Sequence, residues 1–335
     1  MADTVRLSLS EAQDLLATAL CGVDVPGPVA ASVARALVAA EAEGQVGHGF
    51  SRLADYAAQV QSGKINGTAD VTVSRRAPAS LHIDADRGFA YPALDAAFEA
   101  GVPLAREMGI CAMTIGNSHH CGALSVQVDR FAQAGLVAIM MANTPKAIAP
   151  WGASKPVFGT NPIAFAAPVA NADPLVIDLS LSKVARGKVM AARKAGVEIP
   201  PDWALDERGQ PTTDPQAALG GTMLPIGDAK GTALALMVEI LATALTGSAF
   251  SSEAGSFFEA EGPAPRVGQT LIAIDPGVQT DFAERVCGLL QTISGMEGAR
   301  LPGARRRAAI ARARAEGLDV PADFIAQARH LAGPA

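Results

Sequence analysis

Hydrophobic periodicity divides the chain into a helical opening and a longer stretch of alternating strands and helices. Between Ser8 and Ala42, Leu15, Leu16 and Leu20 recur on one helix face, Ser8 and Glu11 have the spacing of a capping box, and Pro26-Gly27-Pro28 splits the run into two helices. Ser51 to Gln61 is a further amphipathic stretch, closed by Ser62-Gly63-Lys64. Val71-Thr72-Val73 and Leu81-His82-Ile83-Asp84-Ala85 then alternate as strands do. Tyr91 to Met108 reads as a long Ala-rich helix, Ile110 to Ile115 as a short strand, and Ser125 to Ala134 as helix again. Leu136 to Ala142 is an unbroken apolar run, the pattern of a strand buried on both faces. Ala164 to Pro168, Leu175 to Leu179 and Leu271 to Ile274 add further strands, and the succession predicts a layered α/β core. Pro200 to Pro215, polar and proline-rich, reads as a surface excursion, and Gly231 to Thr246 as an apolar helix. Gly247 to Pro265, rich in Gly, Ser and Glu, reads as a mobile loop.

Composition narrows the function classes. At 335 residues the chain has room for one large domain with a lobe, or for two domains sharing a cleft. No segment approaches the roughly 20 uninterrupted apolar residues of a membrane span, and the first residues lack a basic-then-apolar secretory pattern, so the expectation is a cytoplasmic protein without a membrane partner. Cys21, Cys111, Cys121 and Cys287 are scattered without Cys-x-x-Cys spacing, which argues against a zinc site or a disulfide framework; no metal is expected. A net charge of −6 gives no general attraction to nucleic acid. Arg305-Arg306-Arg307 with Arg312 and Arg314 makes one basic patch, either a solvated helix face or a contact for a cofactor phosphate.

Two polar islands stand out against this background. Gly116 to Ser125 places His119 and His120, two of the chain's five histidines, in a small-residue loop between apolar segments. Gly47-His48-Gly49-Phe50-Ser51-Arg52 pairs another histidine with an arginine four positions on, and the two islands together read as one catalytic site. His82 reads as an ordinary strand residue. Gly-x-Gly-x-x-Gly is absent, since Arg52 stands where a third glycine would follow Gly47 and Gly49, and there is no phosphate-binding Gly-x-x-x-x-Gly-Lys loop. Any dinucleotide would therefore be held without the Rossmann fingerprint. Gly-x-Ser-x-Gly and His-Glu-x-x-His are absent too, which removes the best-defined hydrolase readings.

The sequence resembles the malate/L-lactate dehydrogenase family of non-Rossmann NAD(P)-dependent oxidoreductases over nearly its whole length. The resemblance rests on His48-Gly49 with Arg52 and Tyr56, Asn117-Ser118-His119-His120, Gly159-Thr160-Asn161-Pro162, Asp178-Leu179-Ser180 followed by Ala185-Arg186-Gly187-Lys188, Lys230-Gly231, Ala273-Ile274-Asp275-Pro276, and Leu301-Pro302-Gly303. It implies a three-layer α/β domain with a mixed sheet, a helical N-terminal lobe, and a homodimer with active sites near the subunit interface. On that basis residues 1–115 form the helical lobe and first strands on the substrate side. Residues 116–300 form the NAD(P)-binding domain, and 301–335 a helical segment returning to the lobe.

The same resemblance implies roles. Hydride transfer to C=O or C=N needs a proton donor near the working pH, which suits histidine; His48 is the first acid-base candidate and His120 the second, and Lys188 completes the expected catalytic set. Arg52 offers a planar fork for the substrate carboxylate, and Thr160 a hydroxyl for its other oxygen. The cofactor, NADPH with NADH as the alternative, falls to His120, Cys121, Gly122, Ala123, Leu124, Thr144, Asp178, Leu179, Ser180, Arg186, Gly187, Lys230, Pro302, Gly303, Arg305 and Arg306. Two positions depart from the family. Gly47 replaces a serine found in many relatives, and Lys188 stands where the imine reductases have aspartate; a cation there would lower the pKa of His48 or neutralise a second acidic group on the substrate. The leading expectation is reduction of a small 2-imino or 2-oxo carboxylate, with pyrroline-2-carboxylate or piperideine-2-carboxylate converted to proline or pipecolate. The alternative is an NAD(P)-dependent dehydrogenase of malate, lactate or sulfolactate, and a remote one is a non-catalytic nucleotide-binding sensor.

Overall fold

The computed structural model describes residues 3–277 and 279–333. β1 (Thr4–Leu7) leads into α1 (Leu9–Cys21), whose start carries the reciprocal cap: Ser8 Oγ accepts the Glu11 N–H at 3.2 Å while the Glu11 carboxylate accepts the Ser8 N–H at 2.8 Å. α2 (Gly27–Ala42) has proline in its first turn. Two single 3-10 turns, Val46–His48 and Phe50–Arg52, precede α3 (Leu53–Gln61). β2 (Thr72–Ala77), β3 (Ser80–Asp84), α4 (Ala90–Met108), β4 (Ile110–Ser118), α5 (Leu124–Gln133) and β5 (Val137–Ala142) follow. Next come β6 (Ile163–Val169), β7 (Ala172–Leu179), α6 (Arg186–Ala195), β8 (Ala204–Leu205), α7 (Pro215–Gly220) and β9 (Thr222–Met223). α8 (Ala229–Glu239) runs on through a π-helical turn, Ile240–Ala244. β10 (Val267–Ile274), α9 (Phe282–Ser294), α10 (Ala304–Glu316), β11 (Leu318–Pro321) and α11 (Ala322–Ala332) complete the described chain.

The main sheet has seven strands in the order β2-β3-β4-β10-β5-β6-β7. Only β3 and β4 run parallel; the other neighbours are antiparallel, so the sheet is mixed and its connectivity is not that of a doubly wound dinucleotide fold. β10 arrives from far along the chain to sit between β4 and β5, and its Leu271 and Ala273 are fully buried. One apolar core joins β3, β4, β5 and β10 to α4 and α5 through Ile83, Leu94, Met113, Val128, Phe131 and Met140.

A second core belongs to the N-terminal lobe, where Leu16, Leu20, Leu37, Phe50, Leu53 and Tyr56 pack with Val320 and Ile325 from the C-terminal end. β1 and β11 form a two-stranded antiparallel ribbon that ties the two chain ends together. The junction between the two cores positions the site: Phe89 and Tyr91 at the start of α4 belong to the lobe core, whereas Cys121 and Leu124 belong to the sheet core. The double-histidine loop therefore crosses from one to the other.

The segment 247–265, expected to be mobile, is pinned instead. Gln59 Nε2 donates to Phe257 O at 2.9 Å, Ser62 Oγ to Ala260 O at 2.7 Å, and Lys64 Nζ to Glu259 O and Glu261 O at 2.7 and 3.1 Å. Its apolar and polar anchors, Phe257 and Ser251, are buried. No helix among the described residues is long and apolar enough to cross a membrane.

Candidate active site

Glycine and a buried acid set up the first island. The Glu41 carboxylate accepts the Phe50 N–H at 2.9 Å and occupies the space beside Gly49, where a Cβ would lie 1.9 Å from Oε2. Only glycine admits that approach. The two 3-10 turns it fixes aim His48 at the second island: His48 Nδ1 lies 3.1 Å from His120 Nε2, and the two rings stack at 5.1 Å with 15° between planes. On its far side His120 Nδ1 meets Tyr56 Oη at 2.6 Å, and Tyr56 Oη meets Tyr91 Oη at 3.0 Å. Four polar groups from a 3-10 turn, the loop after β4, α3 and α4 thus form one continuous line, with both tyrosines of the chain at its buried end.

Arg52 flanks this line. Its Nε donates to Gly47 O at 2.7 Å and its guanidinium carbon lies 4.7 Å above the Phe258 ring. Nη1 is buried with no hydrogen-bond partner among the described residues. An unpaired charged donor in such a place carries a penalty of about 1–3 kcal/mol or more, which an incoming carboxylate would remove. Burial, and after it the charge of Arg52, pushes the pKa of His48 down to about 4. His120 is driven well below its ordinary value by the same two causes, and burial takes His119 down to about 3. All three imidazoles are neutral at neutral pH.

His119 takes no part in this line, although its ring packs against Tyr56 and Phe257 as that of His120 does. Its ring nitrogen Nε2 pairs with Gln59 Oε1 at 2.8 Å, and Gln59 in turn holds the Phe257 carbonyl, so His119 helps clamp the 247–265 segment. His82 Nδ1 pairs with Thr114 Oγ1 at 3.0 Å across neighbouring strands.

The residues expected to hold the cofactor, with Thr160 expected at the substrate, fall into three groups. Cys121, Gly122, Ala123 and Leu124 lead into the N-terminus of α5, where Asp178 from the end of β7 accepts the Ser125 N–H at 2.9 Å; burial raises the Asp178 pKa. Ser125 Oγ donates to Glu43 at 2.5 Å. Leu179 is exposed and Ser180 pairs with Ser182 at 2.6 Å. Thr160 and Thr144 form a second group, the Thr160 N–H donating to Thr144 Oγ1 at 2.9 Å, and Gly159 leaves room for it because a Cβ there would lie 2.4 Å from Thr144 Oγ1.

The third group is a solvent-open groove lined by Pro302, Gly303, Arg306, Arg307 and Arg314 together with Glu43, Asp129 and Asp173. Arg306 donates to Val176 O at 2.5 Å and lies 4.0 Å from Glu43. Arg307 and Arg314 form no ion pair among the described residues, so this donor set fits a phosphate ester.

Lys188, Gly187, Lys230 and Arg305 are exposed, and Arg186 is partly buried, reaching Leu219 O at 3.5 Å. None of them hydrogen-bonds or pairs with His48, Arg52 or His120 among the described residues. The sequence reading overlooked Tyr91 and Glu41. The rarity of tyrosine, two in an Ala-rich chain, was the available signal for the first; nothing marked Glu41.

A family model described as malate/L-lactate dehydrogenase matches residues 7–328. The chain is 51% identical over 327 residues to a (2R)-3-sulfolactate dehydrogenase (NADP(+)) of Chromohalobacter salexigens, covering 97% of this chain and 98% of the relative. It is 41% identical over 332 residues to a Delta(1)-pyrroline-2-carboxylate/Delta(1)-piperideine-2-carboxylate reductase of Pseudomonas putida, covering 98% and 97%. Among solved structures, delta1-piperideine-2-carboxylate reductase from Pseudomonas syringae superposes with a TM-score of 0.93 at 38% identity, covering 98% of this chain and all of that one.

Proposed function

The chain belongs to the malate/L-lactate dehydrogenase family, and from that membership we propose that it interconverts a small 2-hydroxy carboxylate and its 2-oxo partner with NADP(H). It is an NAD(P)-dependent oxidoreductase of small carboxylates. The substrate proposed carries a second anionic group, as 3-sulfolactate does. One observation carries this reading: a buried arginine nitrogen without an acceptor lies beside a neutral, partly exposed imidazole. That pair suits a carboxylate whose neighbouring carbon exchanges a proton through its oxygen.

Bound NADP(H) supplies or accepts the hydride, and the chain does the rest. Arg52 grips the carboxylate and neutralises it, which also cancels part of the field that depresses the His48 pKa. His48 takes the hydroxyl proton in oxidation and returns one in reduction. Thr160 assists at the carboxylate. Arg307 and Arg314 hold a cofactor phosphate, with Lys230 at the first turn of α8 and Lys188 as unpaired cations, the latter for the second anionic group. The 51% identity to a sulfolactate dehydrogenase supports that choice.

Imine reduction remains the second reading, supported by the 41% identical reductase. An iminium arrives already protonated, so a neutral His48 next to Gly47 suffices for it. We also propose a homodimer. α8 has no polar face, and Leu234, Leu236, Met237 and Ile240 stand exposed along it and its π turn; a helix apolar all round is normally covered.

Initial rates with NADP+ on (2R)-3-sulfolactate, malate and lactate, set against NADPH-dependent rates on piperideine-2-carboxylate, test the substrate class. Turnover on the hydroxy acids supports the first reading, and turnover on the cyclic imine alone replaces it with the second.

A further inference from the structure

We infer that Tyr56, backed by Tyr91, is a positioning residue that fixes the tautomers of His120 and His48, so that His48 presents an Nε2–H to the substrate. Along the line Tyr91, Tyr56, His120, His48 there are three hydrogen bonds and, with every group neutral, one polar hydrogen per residue. Tyr56 has a single hydroxyl proton, so only two arrangements keep all three bonds.

In the first, Tyr91 donates to Tyr56, Tyr56 donates to His120 Nδ1, and the His120 Nε2–H donates to His48 Nδ1. The remaining proton of His48 then sits on Nε2, which has no partner among the described residues and is not enclosed. In the second, every bond reverses: His48 donates from Nδ1, His120 from Nδ1, and Tyr56 to Tyr91. The proton of Tyr91 is then left over. Tyr91 is buried and bonds to nothing but Tyr56 among the described residues. A stranded buried donor is costly, so the first arrangement is the resting one.

The consequence deepens the proposed function and rests on it for the substrate. An outward N–H needs a lone pair opposite it, which the carbonyl oxygen of a 2-oxo carboxylate has and the protonated nitrogen of an iminium lacks. The free site is therefore set to hydrogen-bond the oxo acid. Reduction takes one further proton from solvent, which makes His48 an imidazolium; its Nε2 proton passes to the substrate oxygen as the carbon is reduced, and the line is left in the reversed arrangement from which alcohol oxidation starts.

Long-range 15N–1H NMR of histidine-labelled protein at neutral pH reads the tautomers without substrate, so it fails or succeeds independently of the substrate assignment. Expected is Nε2 protonated and Nδ1 bare in both His48 and His120; a protonated Nδ1 on His48 overturns the inference. The two tyrosine variants separate a positioning role from a packing role. Tyr91→Phe should keep both tautomers, because the Tyr56 hydroxyl proton still has only His120 to bond. Tyr56→Phe should lose the preference, lowering kcat for oxo-acid reduction by about 10-fold or more with KM little changed. Unchanged tautomers in Tyr56→Phe would refute it.

Discussion

Arg52 Nη1 stops 3.7 Å from Asp55 Oδ2, beyond hydrogen-bonding distance, and no other acceptor among the described residues reaches it in its buried position. The neighbouring nitrogen Nε is satisfied by Gly47 O, so the guanidinium is held in place by one edge while another is left without an acceptor. That geometry orients a charged donor before anything binds, which reduces the ordering cost of substrate capture.

Replacing Arg52 should therefore cost binding far more than stability. Arg52→Met is expected to lower kcat/KM by about 100- to 1000-fold, mostly through KM, as loss of one or two charge-assisted hydrogen bonds predicts. Arg52→Lys should recover little, because an ammonium lacks the planar fork. Steady-state kinetics with thermal melts of each variant checks this; a collapse of the melting transition instead would make Arg52 a structural residue.

The rate of hydroxy-acid oxidation should follow the His48 titration. Its folded-state pKa is pushed down to about 4 from the ordinary 6.5, so the neutral base persists at mildly acid pH. The kcat/KM profile, which reports the free protein, should hold level down to about pH 5 and fall below it. In kcat the same limb should lie higher, since bound carboxylate offsets Arg52. A kcat/KM limb near 6.5 would contradict the burial argument.

Stability should show the same sign at His119, whose pKa is about 3 in the fold. Above pH 6.5 the residue is neutral folded and unfolded; as the pH falls toward 3, only the unfolded chain takes up its proton, so stability present at neutral pH is lost. Between pH 7 and 5 that amounts to about 2 kcal/mol. Burial raises Glu41, Glu43 and Asp178, whose protonation favours the fold and opposes this trend. Denaturant curves of wild type and His119→Asn at both pH values isolate the histidine: the variant should lose about 2 kcal/mol less.

What the sequence made legible was mostly local. The Ser8 and Glu11 cap, the two helices parted by proline, and the strand that leads into the double-histidine loop all follow from neighbouring residues, and the structure has them. The β1–β11 ribbon was invisible because its two short strands lie at opposite ends of the chain. The 247–265 segment misled because its composition is that of a loose loop, while its restraints act on main-chain carbonyls that no side-chain pattern encodes. Flanking motifs pointed to His48, Arg52 and His120 as neighbours, and the structure brings them together. They gave no hint that His119, adjacent to His120, would bond to Gln59 instead of joining the line, because Gln59 lies 60 positions away in the sequence.

The apolar face of α8 makes the oligomeric state testable. Leu236→Glu with Met237→Glu should convert a dimer to monomer in light scattering after gel filtration, with the circular dichroism spectrum preserved. Wild type running as a monomer would refute the proposed interface.

The most direct measurement is NADP+ reduction with (2R)-3-sulfolactate by wild type and His48→Asn, alongside NADPH binding followed by fluorescence. The account predicts turnover by wild type, a kcat lower by about 100-fold or more in the variant, and NADPH affinity unchanged within about twofold. Equal turnover in both proteins would contradict it.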